Sequence, residues 1–125
     1  MNNTISESLI LIENIKKHNL NEEVEVVVAV PFTNLNEIKK ALKGTSIKLA
    51  AQNMHWEDSG AYTGEISPLM LKEIGVDYCI IGHSERRQYF NELDETVNKK
   101  IKTALKYKIK PIVCVGETLE EREKR

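Results

Sequence analysis

The run Tyr78-Cys79-Ile80-Ile81 has the composition of a buried strand and leads straight into Gly82-His83-Ser84-Glu85-Arg86-Arg87. His83 therefore stands at a strand's carboxyl end, which is where parallel α/β folds hold their ligands. Ser84 is placed to cap the turn of helix that follows. A helix N-terminus carries partial positive charge, so it disfavours imidazolium and favours a neutral ring. A neutral ring that donates a hydrogen bond acts as an electrophile rather than as a strong acid. The same residues also fit a purely structural role, with His83 capping or packing and Glu85 a solvated first-turn carboxylate.

The elements that must position these residues alternate along the chain. Thr4-Ile5-Ser6-Glu7 has the form of a capping box, and Ile5, Leu9, Ile12 and Ile15 recur at helical spacing, predicting a helix to about His18. Val24 to Val30 is a nearly unbroken β-branched run that suits a strand covered on both faces, and Pro31 ends it. Leu35, Ile38 and Leu42 predict a second helix that exits at Gly44, and Ile47 to Ala51 a second strand. The polar stretch from Gln52 to Glu65 follows, too long for a simple connection and placed where function is common. Ser67 and Pro68 open a short helix that Gly75 closes, and Tyr78 to Ile81 is the third strand. Asp94 caps a helix carrying Val97, Ile101 and Leu105 on one face, and Pro111 to Val115 is the fourth strand. Thr118-Leu119-Glu120-Glu121 opens a last helix that reaches Arg125 after about two turns. Strand starts at 24, 47, 78 and 111 lie 23, 31 and 33 residues apart, the spacing of successive βαβ units in a parallel sheet. The class is α/β.

Composition narrows the partners. With 18 Lys+Arg against 19 Asp+Glu, the net charge of −1 gives no field for nucleic acid or an anionic membrane. The basic run Lys99-Lys100-Ile101-Lys102 reads as one exposed helix face around a core Ile101. Cys79 and Cys114 lie in apolar runs without C-x-x-C spacing or a histidine at ligand spacing, so they read as buried free thiols in a reducing compartment. No basic n-region precedes an apolar stretch, which points to the cytoplasm. No cofactor and no metal are indicated.

Gly82 to Arg87 after Tyr78 to Ile81 resembles the strand-four signature of the triosephosphate isomerase family. Ala50-Ala51-Gln52-Asn53 and Gly60-Ala61-Tyr62-Thr63-Gly64-Glu65-Ile66-Ser67 resemble its third strand and protruding loop, and Val113-Cys114-Val115-Gly116-Glu117-Thr118 its fifth strand. The resemblance runs in order from about Val24 to Arg125. It implies a cytoplasmic, metal-free (β/α)8 barrel of glycolysis and gluconeogenesis that interconverts dihydroxyacetone phosphate and glyceraldehyde 3-phosphate. That family is itself the standard example of a glutamate base paired with a neutral histidine. By matching residues, His83 would be the electrophile that polarises the substrate carbonyl, with Ser84 and Glu85 in support. Cys114 would match a packing cysteine. Thr63 would reach the active site of a second copy in a homodimer, with Gln52 and Asn53 in the same polar interface.

Such barrels need about 250 residues, and four strands do not close one. Residues 1–125 are therefore expected to be a partial barrel domain, incomplete at both ends, running from helix 1 through strand 5 into the start of helix 5. The family's Asn-x-Lys is expected just before Met1, and its glutamate base, lid and phosphate loops beyond Arg125. The isolated chain is then expected to be inactive and, with open sheet edges, poorly soluble. The alternative from another class is a non-catalytic half-barrel serving as a binding or assembly module. An aldolase-type barrel is disfavoured because no lysine ends a strand to form a Schiff base.

Overall fold

Local sequence signals fix the helix ends. In the computed structural model, which describes residues 1–18 and 21–125, Thr4 caps α1 (Ile5–Lys16). Its Oγ1 accepts from the Glu7 amide at 3.3 Å, and the Glu7 carboxylate accepts from the Thr4 amide at 3.2 Å. Ser67 does the same for α3 (Pro68–Ile74), its hydroxyl accepting from the Met70 amide at 3.3 Å, and Gly75 closes that helix at φ 92. Between them lie β1 (Val27–Val30), a 3-10 turn at Phe32–Asn34, α2 (Leu35–Ala41) and β2 (Lys48–Ala51). Then come β3 (Tyr78–Ile81), α4 (Ser84–Tyr89), α5 (Asp94–Lys106), β4 (Lys110–Val113) and α6 (Leu119–Glu123), the last opened by the Thr118 capping box.

The strands form one parallel sheet in the order β1-β2-β3-β4. Val27 pairs with Lys48, Ala51 with Cys79 and Ile81 with Val113, so the carboxyl ends of β2 and β3 come side by side. Leu49, Ala51, Cys79 and Ile81 are buried, packed with Leu35 and Ile38 of α2, Leu71 of α3 and Val97 and Ala104 of α5, and Ala50 is buried as well. Asn34 joins α1 to this core, its amide donating to Ser8 Oγ at 2.8 Å.

Both outer strands depart from the sequence expectation. Pairing in the first begins at Val27, and Val24 is exposed; of Val27 to Val30 only Val30 is buried. The two-sided cover expected for this run is only partial: Val26 and Val28 pack against the core yet stay half-buried, and β1 has a strand neighbour on one side alone. The fourth strand begins at Lys110 and stops at Val113, leaving Val115 92 % exposed. Cys114, expected to be buried, is half-exposed for the same reason. Cys79 is buried on an interior strand, and burial pushes its thiol up to about 12. No helix of the described residues is long and apolar enough to cross a membrane.

Candidate active site

β3 passes to His83 through Gly82, a buried residue at φ 75 whose added Cβ would lie 3.1 Å from Val97 Cγ2. Only glycine combines that backbone with that approach. The Gly82 carbonyl accepts from Arg87 Nε at 3.2 Å, and Arg87 reaches Asp94 at 2.7 Å. The turn is thereby tied to the start of α5.

His83, and not Ser84, is the N-cap of α4. Its Nδ1 accepts from the Glu85 amide at 3.1 Å, and its carbonyl accepts from the Arg86 amide at 2.9 Å. An Nδ1 that accepts carries no proton, so a neutral ring holds its proton on Nε2 as a donor. A ring nitrogen here does the capping expected of a serine hydroxyl, and Ser84 is simply the first helical residue, exposed. The Glu85 carboxylate is also exposed, 3.8 Å from Nδ1.

Behind this turn lies a charged network that residue order does not announce. Lys100, expected on a solvated face, is 4 % exposed. It donates to Glu92 and, at 2.9 Å, to Asn53 Oδ1, while Arg86 Nε donates to the second Glu92 oxygen at 2.6 Å. Burial alone would raise the Glu92 carboxyl, but the hydrogen bond and charge of Lys100, then of Arg86, outweigh it and hold the group below the usual carboxylate range. A signal is present all the same: Val97, Lys100 and Ala104 fall on one helical stripe, the buried face of α5, whereas Ile101 is only half-buried. Asn91, at φ 55, turns the chain just before Glu92.

The long stretch from Gln52 to Glu65 is an ordered loop whose ends meet where the His55 amide donates to the Ile66 carbonyl at 2.8 Å. Gln52 Nε2 donates to the Ala29 carbonyl at 3.1 Å, and Asn53 is buried against Lys100. His55, which no periodicity marks, is buried with its ring 4.2 Å from Trp56 and 4.5 Å from Tyr62. The Trp56 carbonyl accepts from Thr103 at 2.9 Å, and Lys99 Nζ stands 5.2 Å from the indole, so the loop leans on α5. Thr63 is exposed beside Gly64. His83, Ser84 and Glu85 thus share one turn, Gln52 and Asn53 lie at the end of the adjacent strand, and Thr63 is joined to neither group by a hydrogen bond among the described residues.

Two Asn-x-Lys triplets occur, Asn14-Ile15-Lys16 and Asn98-Lys99-Lys100, each inside a helix and so not at a strand end.

A protein-family model described as triosephosphate isomerase matches residues 1–125. The triosephosphate isomerase of Alkaliphilus oremlandii is 65 % identical over 123 residues, covering 98 % of this chain and 50 % of that relative. The triosephosphate isomerase of Alkaliphilus metalliredigens is 66 % identical with the same coverage, and that of Acetivibrio thermocellus 58 % identical over 98 % of this chain and 49 % of its own length. The chain spans about half the length of these curated relatives.

Proposed function

Because the chain belongs to the triosephosphate isomerase family, we propose that its complete protein interconverts dihydroxyacetone phosphate and D-glyceraldehyde 3-phosphate with His83 as the electrophile. The observation that carries this reading is the bond from the Glu85 amide to His83 Nδ1, which leaves Nε2–H free to donate. That donor would bind the carbonyl oxygen of the triose phosphate and stabilise the negative charge that grows there as a proton leaves the neighbouring carbon. The same nitrogen would then pass protons between the two oxygens of the enediolate. Half-exposure of the imidazole leaves it reachable by substrate.

On this reading the base that takes the carbon-bound proton, and the cation that helps hold substrate, come from the half of the relatives that this chain does not span. The 125 residues alone would then bind His83's share of the transition state and turn nothing over. Thr63, on the exposed loop, would meet a second copy in a homodimer, with Gln52 and Asn53 holding the root of that loop. The preformed geometry of residues 52–65 supports this, because an ordered loop loses little entropy when a partner receives it.

The test is steady-state interconversion by the protein made from its complete reading frame. Replacing His83 by Ala lowers kcat about 100- to 1000-fold, the scale of losing one donor to a developing oxyanion. An unchanged kcat in a folded His83→Ala protein would remove His83 from the reaction.

A further inference from the structure

We propose that Lys100 is a positioning residue for His83, acting through Glu92 and Arg86; this rests on the isomerase reading of His83. The helix that His83 caps has six residues, and none of them is buried. Apolar packing therefore does not orient α4. What the structure supplies instead is a continuous path of polar links. The Lys100 ammonium bonds one Glu92 oxygen, the Arg86 guanidinium bonds the other at 2.6 Å, and the Arg86 amide bonds the His83 carbonyl at 2.9 Å.

The links differ in exposure, and this sets which end governs. Lys100 and Glu92 are buried, whereas the parallel tether from Arg87 ends on a fully solvated Asp94. An exposed pair holds little in water, while a buried, hydrogen-bonded one resists any displacement that would leave a charge unmatched. Lys100 also bonds Asn53, which follows the end of β2 and begins the long loop. One ammonium on the interior face of α5 thus fixes both the turn that presents His83 and the root of the neighbouring loop. A shift of about 1 Å in such a turn costs up to about 100-fold in rate without changing which groups are present.

Two variants of the complete protein test this. Arg86→Met removes the guanidinium link from Glu92 to α4 while the Glu92 amide keeps its bond to the Arg86 carbonyl at 3.2 Å, and it leaves the Lys100–Glu92 pair intact, so the core charges stay matched. Lys100→Met with Glu92→Leu removes the pair as a unit, avoiding a lone buried charge. For both, kcat falls about 10- to 100-fold, the KM for triose phosphate moves less than about threefold, and circular dichroism keeps the parent spectrum. Combined with His83→Asn, neither adds its full factor, because the residue being positioned is already gone. A folded Arg86→Met protein with kcat within about twofold of the parent, or factors that multiply with that of His83→Asn, overturns the proposal. Should His83→Asn itself retain parent activity, the isomerase reading of His83 falls first and takes this proposal with it. Where His83→Asn shows its expected loss, the Arg86 and Lys100 variants decide the role of Lys100 alone.

Discussion

The interior strands β2 and β3 and the outer strands β1 and β4 carry similar apolar runs, yet they end in different surroundings. Leu49, Ala50, Ala51, Cys79 and Ile81 are buried, whereas Ile112 and Val113 are each 39 % exposed and most of β1 is only half-covered. The candidate chemistry gathers at the carboxyl ends of the interior pair, where Gln52, Asn53 and His83 leave the sheet. A strand with neighbours on both sides has its end fixed by two ladders and by helices packed above it. In these 125 residues the edge strands β1 and β4 have half of that restraint, whereas the turn that carries His83 leaves a strand paired on both sides.

Breaking the interior gives the largest effects. In the complete protein the loss on His83→Ala, about 100- to 1000-fold in kcat, should exceed any loss from Val113→Ala, read in the same assay. In stability, Leu49→Ala on β2 should cost about 2–5 kcal/mol as a buried leucine replaced by a cavity. Val113→Ala in the 125-residue chain should cost well under that, since its side chain already meets water; urea unfolding of the two variants side by side measures the contrast.

A smaller effect separates the buried network from exposed charges by pH. The folded Glu92 carboxyl lies below its ordinary value of 4.5. The stability it contributes is therefore fully present above that value and is lost as pH falls through the lowered folded value. Melting temperatures taken between about pH 7 and pH 3 should show a steeper acid limb in the parent than in Glu92→Gln. The same scan on Glu37→Gln, which removes an exposed pair with Lys40, should retain the parent's slope.

The mildest contrast is between the two thiols. Cys79, buried and pushed up to about 12, should ignore a thiol reagent at neutral pH in the folded chain, while Cys114 on the edge reacts. Rapid labelling of Cys79 in native protein would mean that the interior sheet opens.

The same division between inside and edge separates what residue order reveals from what it hides. Thr4, Ser67, Gly75 and Thr118 declare helix ends because capping is settled within a few residues, and β3 spans Tyr78–Ile81 as its composition predicts. The outer strands differ from their apolar runs, because pairing depends on a neighbour distant in sequence: Val27 is where Lys48 begins to pair, whatever the character of Val24. Lys100 hides among lysines for a similar reason. Its partners, Glu92 and Asn53, lie 8 and 47 residues away, and only the shared stripe with Val97 and Ala104 hints at burial. His83 is visible by its place after an apolar strand, but the pattern favours Ser84 as the cap, since an imidazole capping a helix has no common sequence signature.

The most direct measurement is nitrogen NMR of the His83 ring in the complete protein at neutral pH, with His83→Asn used to identify its signals beside those of the other histidines. A ring whose Nδ1 accepts from the Glu85 amide shows that nitrogen bare, which is the tautomer the proposed electrophile requires. A proton on Nδ1 would contradict that, because the ring would then have no acceptor for the amide and the helix cap would have to be made some other way.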